Sequence, residues 1–202
     1  MTAPDTTDPV ERASFDEDDL TAQWLDRRRF SDCTFRAAVA VELITQGCAF
    51  DRCDFSAADL SGSQHTASAF TNCRFDMANL STARFTECKL TGSELAGAKL
   101  LGVDITGGDW SLVNLRGCQL SGRDLRGVRL RGAELAEADL RSCDLRNADL
   151  TDARLHNAQL KGADLRGAIV DGTALQDLNL HGVRLDLAQA VLVAKGLGAV
   201  ID

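Results

Sequence analysis

The chain has 202 residues, a length that favours one domain with a continuous hydrophobic core. Its formal net charge is -8 at pH 7, which argues against a general nucleic-acid-binding protein, because such proteins are normally basic. The negative excess lies in the first half, since residues 1–110 hold 18 acidic and 10 basic residues whereas residues 111–202 hold 12 of each.

The N-terminal segment, residues 1–13, is polar and contains both prolines, Pro4 and Pro9. We expect it to form a disordered leader ahead of the folded region. It lacks the basic stretch followed by an apolar stretch that marks a secretory signal. No apolar run approaches the roughly 18 residues of a transmembrane helix, so a cytoplasmic protein is expected.

A period of five residues organises the chain from Phe15 to Leu185. We call every position divisible by five a central position, and the position two residues earlier a small position. Large apolar residues occupy 32 of the 35 central positions, including all eight phenylalanines. All seven cysteines occupy small positions, which predicts buried packing groups and neither disulfides nor a zinc site.

This period fits neither an α-helix, with 3.6 residues per turn, nor a flat strand, with a side-chain period of two. It fits a chain that turns a corner once in every pentad, so that four pentads close a square coil. Coils stacked through backbone hydrogen bonds form an all-β solenoid over residues 14–185. About nine coils at the usual strand spacing of about 4.8 Å give a rod of about 40 Å.

The repeated motif is an alanine, an aspartate or asparagine and a leucine, as in AELAEADLRSCDLRNADLTDARL from Ala133 to Leu155. This motif resembles that of the pentapeptide-repeat family, which implies a right-handed quadrilateral β-helix. Two less regular stretches, SGSQHTASAFTNCRF and the ending VRLDLAQAVLVAKGLGAVID, resemble the mycobacterial fluoroquinolone-resistance members of that family. Family members occupy the DNA-binding surface of DNA gyrase, so the resemblance implies gyrase as a protein partner.

Several positions depart from the pattern. Ala40 and Thr45 fill central positions with small side chains, which predicts a thinner interior or a local bulge. His65 occupies another central position with no second histidine or paired carboxylate to serve it, so we interpret it as structural. Arg28 and Arg123 occupy small positions and must distort the wall or turn outward. No catalytic constellation, metal site or cofactor site is predicted, and the chain is not expected to be an enzyme.

The period ends at Leu185, and residues 186–202 are expected to cap the solenoid. Asp186 to Lys195 is predicted as a helix, with Asp186 as its N-cap and Gly196 as its C-cap. A cap that covers the open end is one interpretation; the resemblance implies instead an end-to-end homodimer. Its predicted interface residues are Leu187, Ala190, Val191, Ala194, Leu197 and Val200.

Two surfaces are candidates for imitating DNA phosphates. Side chains one coil apart stack on one face, so one column contains Asp104, Asp124, Asp144 and Asp164. Arg126, Arg146 and Arg166 are placed to neutralise this column in part. A second face has eight acidic residues against four arginines, and its predicted binding residues are Asp54, Asp76, Glu94, Glu134 and Glu137. Because B-DNA carries roughly one charge every 1.7 Å, any mimicry by this chain is partial.

The leading hypothesis is a dimeric DNA mimic that binds DNA gyrase, competes with DNA and lowers sensitivity to fluoroquinolones or other topoisomerase poisons. It involves no cofactor, no direct contact with nucleic acid and no membrane. The alternative is a pentapeptide-repeat scaffold for another protein, for which the same fold would serve. A third hypothesis is an immunity protein against a gyrase-poisoning toxin.

Overall fold

The computed structural model describes residues 8–201, and the chain winds into a stack of coils whose strands pair in parallel with the strands of the next coil. Two parallel sheets form two sides of the stack. One sheet contains β1 (Val10–Glu11), β3 (Arg29–Ser31), β5 (Ala49–Asp51) and β7 (Ala69–Thr71). The other contains β2 (Trp24–Asp26), β4 (Ile44–Gln46), β6 (Gln64–Thr66), β8 (Arg84–Thr86) and β9 (Asp104–Thr106).

Isolated parallel bridges supply the other two sides and continue the stack beyond the strands. The pairs Ser14↔Thr34 and Asp19↔Val39 begin the third and fourth sides. The same spacing continues as far as Asp164↔Arg184. Four sides in every coil therefore build the all-β solenoid that the period of five predicted, and the fold class is confirmed.

The coil starts earlier than predicted. Val10 and Glu11 pair with Phe30 and Ser31, and Val10 packs against the hydrophobic core. The predicted leader of residues 1–13 is therefore wrong for its last part, because a central position already lies at residue 10. Residues 1–7 lie outside the described part of the chain.

The central side chains form columns inside the coil. Phe30, Phe50 and Phe70 stack face to face with ring centroids 4.9 and 4.8 Å apart. Rings of the neighbouring column, such as Phe55, meet them edge to face. Beyond Phe85 and Trp110 leucine takes over the central positions, and the central leucines from Leu115 to Leu165 are buried as well. The core is therefore aromatic in its first half and aliphatic in its second.

The seven cysteines are free and buried, as their position in the repeat predicted. Each thiol donates a hydrogen bond to the carbonyl of a central residue in the preceding coil; Cys73 donates to Phe50 at 3.4 Å and Cys143 to Leu120 at 2.9 Å. Burial raises the pKa of Cys143 to about 11. These thiols are small packing groups, not reactive nucleophiles.

Ala40 and Thr45 do not produce a local bulge, one of the two outcomes predicted for these central positions. β4 and β6 keep their register, with Thr45 opposite His65. The two side chains are hydrogen-bonded at 2.8 Å, and the other ring nitrogen of His65 bonds Ser63 at 2.9 Å. Leu43 fills the space beside Thr45, because it occupies a small position with a large buried side chain. The larger residue at position 43 compensates for the smaller residue at position 45, so the wall stays regular.

The C-terminal segment closes the rod. A short 3₁₀ turn, Leu175–Asp177, replaces the regular coil, and helix α1 spans Leu187–Gly196. Asp186 caps α1 as predicted, whereas Gly196 belongs to the helix and Leu197 is the C-cap. No helix within residues 8–201 is long and apolar enough to cross a membrane.

Gln189 fixes α1 onto the end of the rod. It forms a reciprocal capping box with Asp186 and is buried. Its side-chain amide donates to the carbonyls of Leu165 at 2.6 Å and Ala168 at 2.9 Å. No regular coil follows above Ala168, so Gln189 supplies the donor that the next coil would have supplied there, while the Leu165 carbonyl also accepts the Ala168 N–H at 2.8 Å.

Candidate protein-binding surfaces

The predicted aspartate column is formed only in part. Asp124 pairs with Asp144 and Asp144 with Asp164 in parallel register, whereas Asp104 pairs with Arg84 and has no bridge to Asp124. We define the ladder face as residues 103–107, 123–127, 143–147 and 163–167. Like charges in direct opposition destabilise a sheet, so the column needs compensation from its neighbours.

Arginines supply that compensation within each coil. The Nη2 atoms of Arg126, Arg146 and Arg166 lie 2.6, 2.5 and 2.6 Å from the carboxylates of Asp124, Asp144 and Asp164. Contacts also reach between coils, as Arg126 lies 3.7 Å from the carboxylate of Asp144. Acidic and basic side chains therefore alternate along this column.

The aspartates of this column also have a structural task. The second carboxylate oxygen of Asp124, Asp144 and Asp164 accepts the backbone N–H two residues later, at 3.2 Å in each case. This bond closes the corner of the coil in the same way as an Asx turn. Hydrogen bonds from Arg166 lower the pKa of Asp164 to about 2. Aspartate at this position is thus explained by turn formation.

Asp104 differs from the other three aspartates of the column. It is exposed, it is followed by Thr106 where the others are followed by arginine, and it forms no ion pair within residues 8–201. Across the ladder face, four aspartates are balanced by four arginines. The face as a whole therefore offers a partner little net negative charge.

The second predicted surface, which we call the acidic face, consists of the sides that contain residues 13–17, 33–37, 53–57, 73–77, 93–97, 113–117, 133–137, 153–157 and 173–177. Its four arginines are all paired. Arg36 lies 2.7 Å from Asp54, Arg74 2.6 Å from Asp76, Arg116 2.5 Å from Glu137 and Arg154 3.6 Å from Glu134. Asp54 is also nearly buried, at 9% exposure.

Three carboxylates of the acidic face remain exposed and outside any ion pair within residues 8–201: Glu17, Glu94 and Asp177. Glu94 accepts a hydrogen bond from the uncharged side-chain amide of Asn114 at 2.7 Å. The face has eight acidic residues against four arginines, so it contributes half of the net charge of -8. The sequence identified this face, but the residues with free charge are largely not the five predicted there.

The predicted dimerisation residues lie on and after α1. Leu187, Leu197 and Val200 are 81, 70 and 90% exposed, and Ala190 is exposed as well. Val191 and Ala194 are half-buried. Leu192 and Ile201 enlarge the same apolar end of the rod, although the sequence did not mark them out. The segment thus presents more apolar surface than a helix that merely covers the core requires.

The side chains of these surfaces do not form a metal site in the described part of the chain. Within residues 8–201 no group of three or more histidine, cysteine, aspartate or glutamate side chains is placed to hold a metal ion. His65 is buried, and desolvation lowers its pKa to about 3, so it is neutral at physiological pH. Its bonds to Thr45 and Ser63 assign it to packing.

Comparison with known proteins agrees with this geometry. Models of pentapeptide repeats match residues 114–152 and 153–189, and a model of a pentapeptide repeat region matches residues 44–125. The pentapeptide repeat protein MfpA of Mycobacterium tuberculosis (strain ATCC 25618 / H37Rv) is 41% identical over 58 residues. This alignment spans 29% of the chain and 31% of MfpA.

Solved structures show the same fold. One structure of QnrB1, a plasmid-mediated fluoroquinolone resistance protein, matches with a TM-score of 0.86 and 22% identity, over 96% of this chain and 97% of that chain. A second QnrB1 structure matches with a TM-score of 0.77 and 20% identity, over 96% and 98% of the two chains. The repeat models, the coil geometry and these superpositions agree, and the chain belongs to the pentapeptide-repeat family.

Proposed function

We propose that this protein binds DNA gyrase in competition with DNA and lowers the sensitivity of gyrase to fluoroquinolones. Three observations support the proposal: the identity to MfpA, the fold shared with a fluoroquinolone resistance protein, and the surplus of carboxylates on the acidic face. The surplus of carboxylates carries the proposal, because the gyrase surface that normally holds DNA favours negatively charged partners.

The acidic face is the proposed contact surface, in preference to the ladder face. Its exposed and unpaired carboxylates, Glu17, Glu94 and Asp177, can pair with cations of a partner without first breaking an ion pair. Asp124, Asp144 and Asp164 are already bonded to arginines and to corner amides. Engaging them would require those contacts to be replaced.

A supercoiling assay with purified gyrase tests the proposal, with and without ciprofloxacin. The decisive variant reverses charge on the acidic face: Glu17→Lys, Glu94→Lys and Asp177→Lys together. The matched control makes the same change in net charge elsewhere, at exposed residues that form no ion pair within residues 8–201: Glu42→Lys, Glu87→Lys and Asp104→Lys.

We expect the wild-type protein to inhibit supercoiling or protect gyrase from the drug, the acidic-face variant to lose about tenfold or more in potency, and the control to lose little. Added salt should weaken the wild-type effect, because charge pairing with gyrase is screened. Absence of any wild-type effect at tens of micromolar would refute gyrase binding. Equal losses in both variants would refute the choice of face.

We further propose that two rods pair through the C-terminal segment. The exposed side chains of Leu187, Leu197 and Val200 support this, because their burial in a dimer would remove apolar surface from water. Light scattering is expected to give a dimer mass for the wild type and a monomer mass for Leu197→Asp with Val200→Asp. Leu101→Asp is the control, since Leu101 is 78% exposed on the side of the rod.

A further inference from the structure

The backbone ladder is interrupted on two adjacent sides of the rod. We define the slit as the opening between residues 97–107 and residues 116–126. At its two ends the coils are joined, by Leu95 N–H to Asn114 O at 2.9 Å and Trp110 N–H to Arg129 O at 2.8 Å. Between these bonds, no backbone hydrogen bond or bridge connects the two segments, both of which are fully described.

Independent features of the packing show the same opening. Ala98 is only half-buried, although the alanines at equivalent positions 78 and 138 are fully buried. A Cβ atom added to Gly117 or Gly122 would meet nothing within 4 Å, whereas at Gly102, one coil below Gly122, it would lie 3.3 Å from Thr82 of the joined coil. A cavity of about 430 Å³ opens at residues 97–101 and 117–119, within the range of about 300–1,000 Å³ of ligand pockets.

Arg123 explains why the coils separate here. It occupies a small position, but its guanidinium cannot enter the apolar interior without a large desolvation penalty. The side chain instead lies between the coils, where it donates to the carbonyls of Val103 at 3.5 Å and Ser121 at 3.3 Å. The distortion predicted for Arg123 is therefore an opening of the wall.

The groups left in the slit define what it can bind. On one edge the N–H groups of Leu100 and Gly102 lack the stacking acceptors that Leu80 and Thr82 have one coil below. On the other edge, the N–H and C=O of Gln119 lack stacking partners. Two edges that each need backbone partners fit an extended peptide, which offers donors and acceptors on both sides.

Charge narrows the choice of peptide. Among the described residues, Lys99 is the only charged one that lines the cavity. The guanidinium of Arg123 lies on the adjacent side of the slit, beside the Val103 carbonyl. We propose that the slit is a second protein-binding site, which takes an extended acidic segment of a partner protein as an inserted strand. The proposal does not depend on gyrase binding, because the slit shares only Gly97, Arg116 and Gly117 with the acidic face and contains none of its three free carboxylates.

Amide hydrogen exchange followed by NMR tests whether the slit is open in solution. The amides of Leu100, Gly102 and Ile105 are expected to exchange at least about 100-fold faster than those of Leu80, Thr82 and Phe85, which hold the same positions in the preceding coil. Arg123→Ala should slow the exchange of Leu100, Gly102 and Ile105, because it removes the side chain that separates the coils. Equal protection of the two sets in the wild type would overturn the proposal.

Binding is tested with the acetylated and amidated pentapeptide VEVEV, carrying a fluorophore, by fluorescence anisotropy and by exchange. We expect the peptide to protect the amides of Leu100 and Gly102, and a backbone N-methylated version to fail. Lys99→Glu should weaken binding about tenfold, whereas Lys89→Glu, the same change outside the slit, should not. No protection at millimolar peptide, or equal binding of the N-methylated peptide, would contradict strand insertion.

Discussion

The two halves of the rod share one backbone plan and fill it differently. In the first half, stacked phenylalanines occupy the centre, and the strands β1 to β9, of two or three residues each, form two of the four walls. In the second half, leucines occupy the centre, alanines fill most small positions, and all walls are single bridges reinforced by aspartate–arginine pairs. The period of five therefore fixes which side chains face inward in both halves, while the residue type in the centre and the length of the strands differ.

The slit lies at the junction between the aromatic half and the aliphatic half. Trp110 is the last aromatic central residue, and Gly108, in the small position before it, lies so close to the preceding coil that a Cβ there would be 2.2 Å from the Cys88 carbonyl oxygen. Arg123 follows in the next coil. A change of core type and one charged residue thus coincide with the loss of stacking bonds.

Removing one ring from the aromatic half should have the largest effect on stability. Phe70→Ala deletes a ring that contacts four neighbouring aromatic residues and His65, and we expect a loss of about 4 kcal/mol in the free energy of unfolding. Leu150→Ala, in the same column of the aliphatic half, should lose about 3 kcal/mol. Urea titrations at one protein concentration measure both. A larger loss for Leu150→Ala would break the comparison.

The cap of the aliphatic half should be the next most sensitive feature. Gln189→Ala removes the side-chain donor to Leu165 and Ala168, and leaving the Ala168 carbonyl unsatisfied should cost about 2 kcal/mol. Fast amide exchange confined to α1 and the last coil would identify the damage. Gln176→Ala is a control, because Gln176 is only half-buried against the same helix. Equal effects of both changes would contradict the capping role.

The polar pair in the aromatic half should make stability depend on pH. Burial lowers the pKa of His65 to about 3, below its ordinary value of about 6.5. The unfolded chain therefore takes up a proton that the folded chain does not, and stability falls as pH falls from 6.5 towards 3, by up to about 1.4 kcal/mol per pH unit.

His65→Phe is expected to remove this part of the pH dependence, because phenylalanine continues the stack onto Phe85 without titrating. Urea midpoints at pH 7 and pH 5 measure it. Carboxylates contribute equally to both proteins, so the difference between the two proteins isolates His65. An unchanged slope would show that His65 is protonated in the folded state at pH 5.

The aspartate–arginine pairs of the aliphatic half should contribute least to the free energy of unfolding. Asp144→Asn keeps an oxygen for the corner amide of Arg146 and loses only the ion pair, so a loss below about 1 kcal/mol is expected. Asp144→Ala loses the corner bond too and should lose about 1 kcal/mol more. The two variants together separate turn formation from charge pairing. Equal losses would assign the whole effect to the charge.

The sequence predicted the inward-facing positions, the burial of the cysteines, the coil and the N-cap of α1, because each follows from the period or from local chemistry. It could not predict how particular side chains share space or which distant groups they bond. Leu43 and Thr45 exchange volume, so the expected bulge is absent, and Gln189 reaches carbonyls 21 and 24 residues earlier. Arginine pairing on the ladder face was anticipated only in part, because side-chain geometry decides which carboxylates stay free.

Paired positions lie one full coil apart along the rod, as in Arg29↔Ala49 and Ala49↔Ala69, and this constant spacing governs how such a chain can change length. Deleting one whole coil would shorten the rod and keep every column aligned, whereas deleting a single pentad would rotate all later faces by one side. An acidic residue would then move from one face to the next without any change in the core. Rod length and the assembly of a binding face can therefore vary separately.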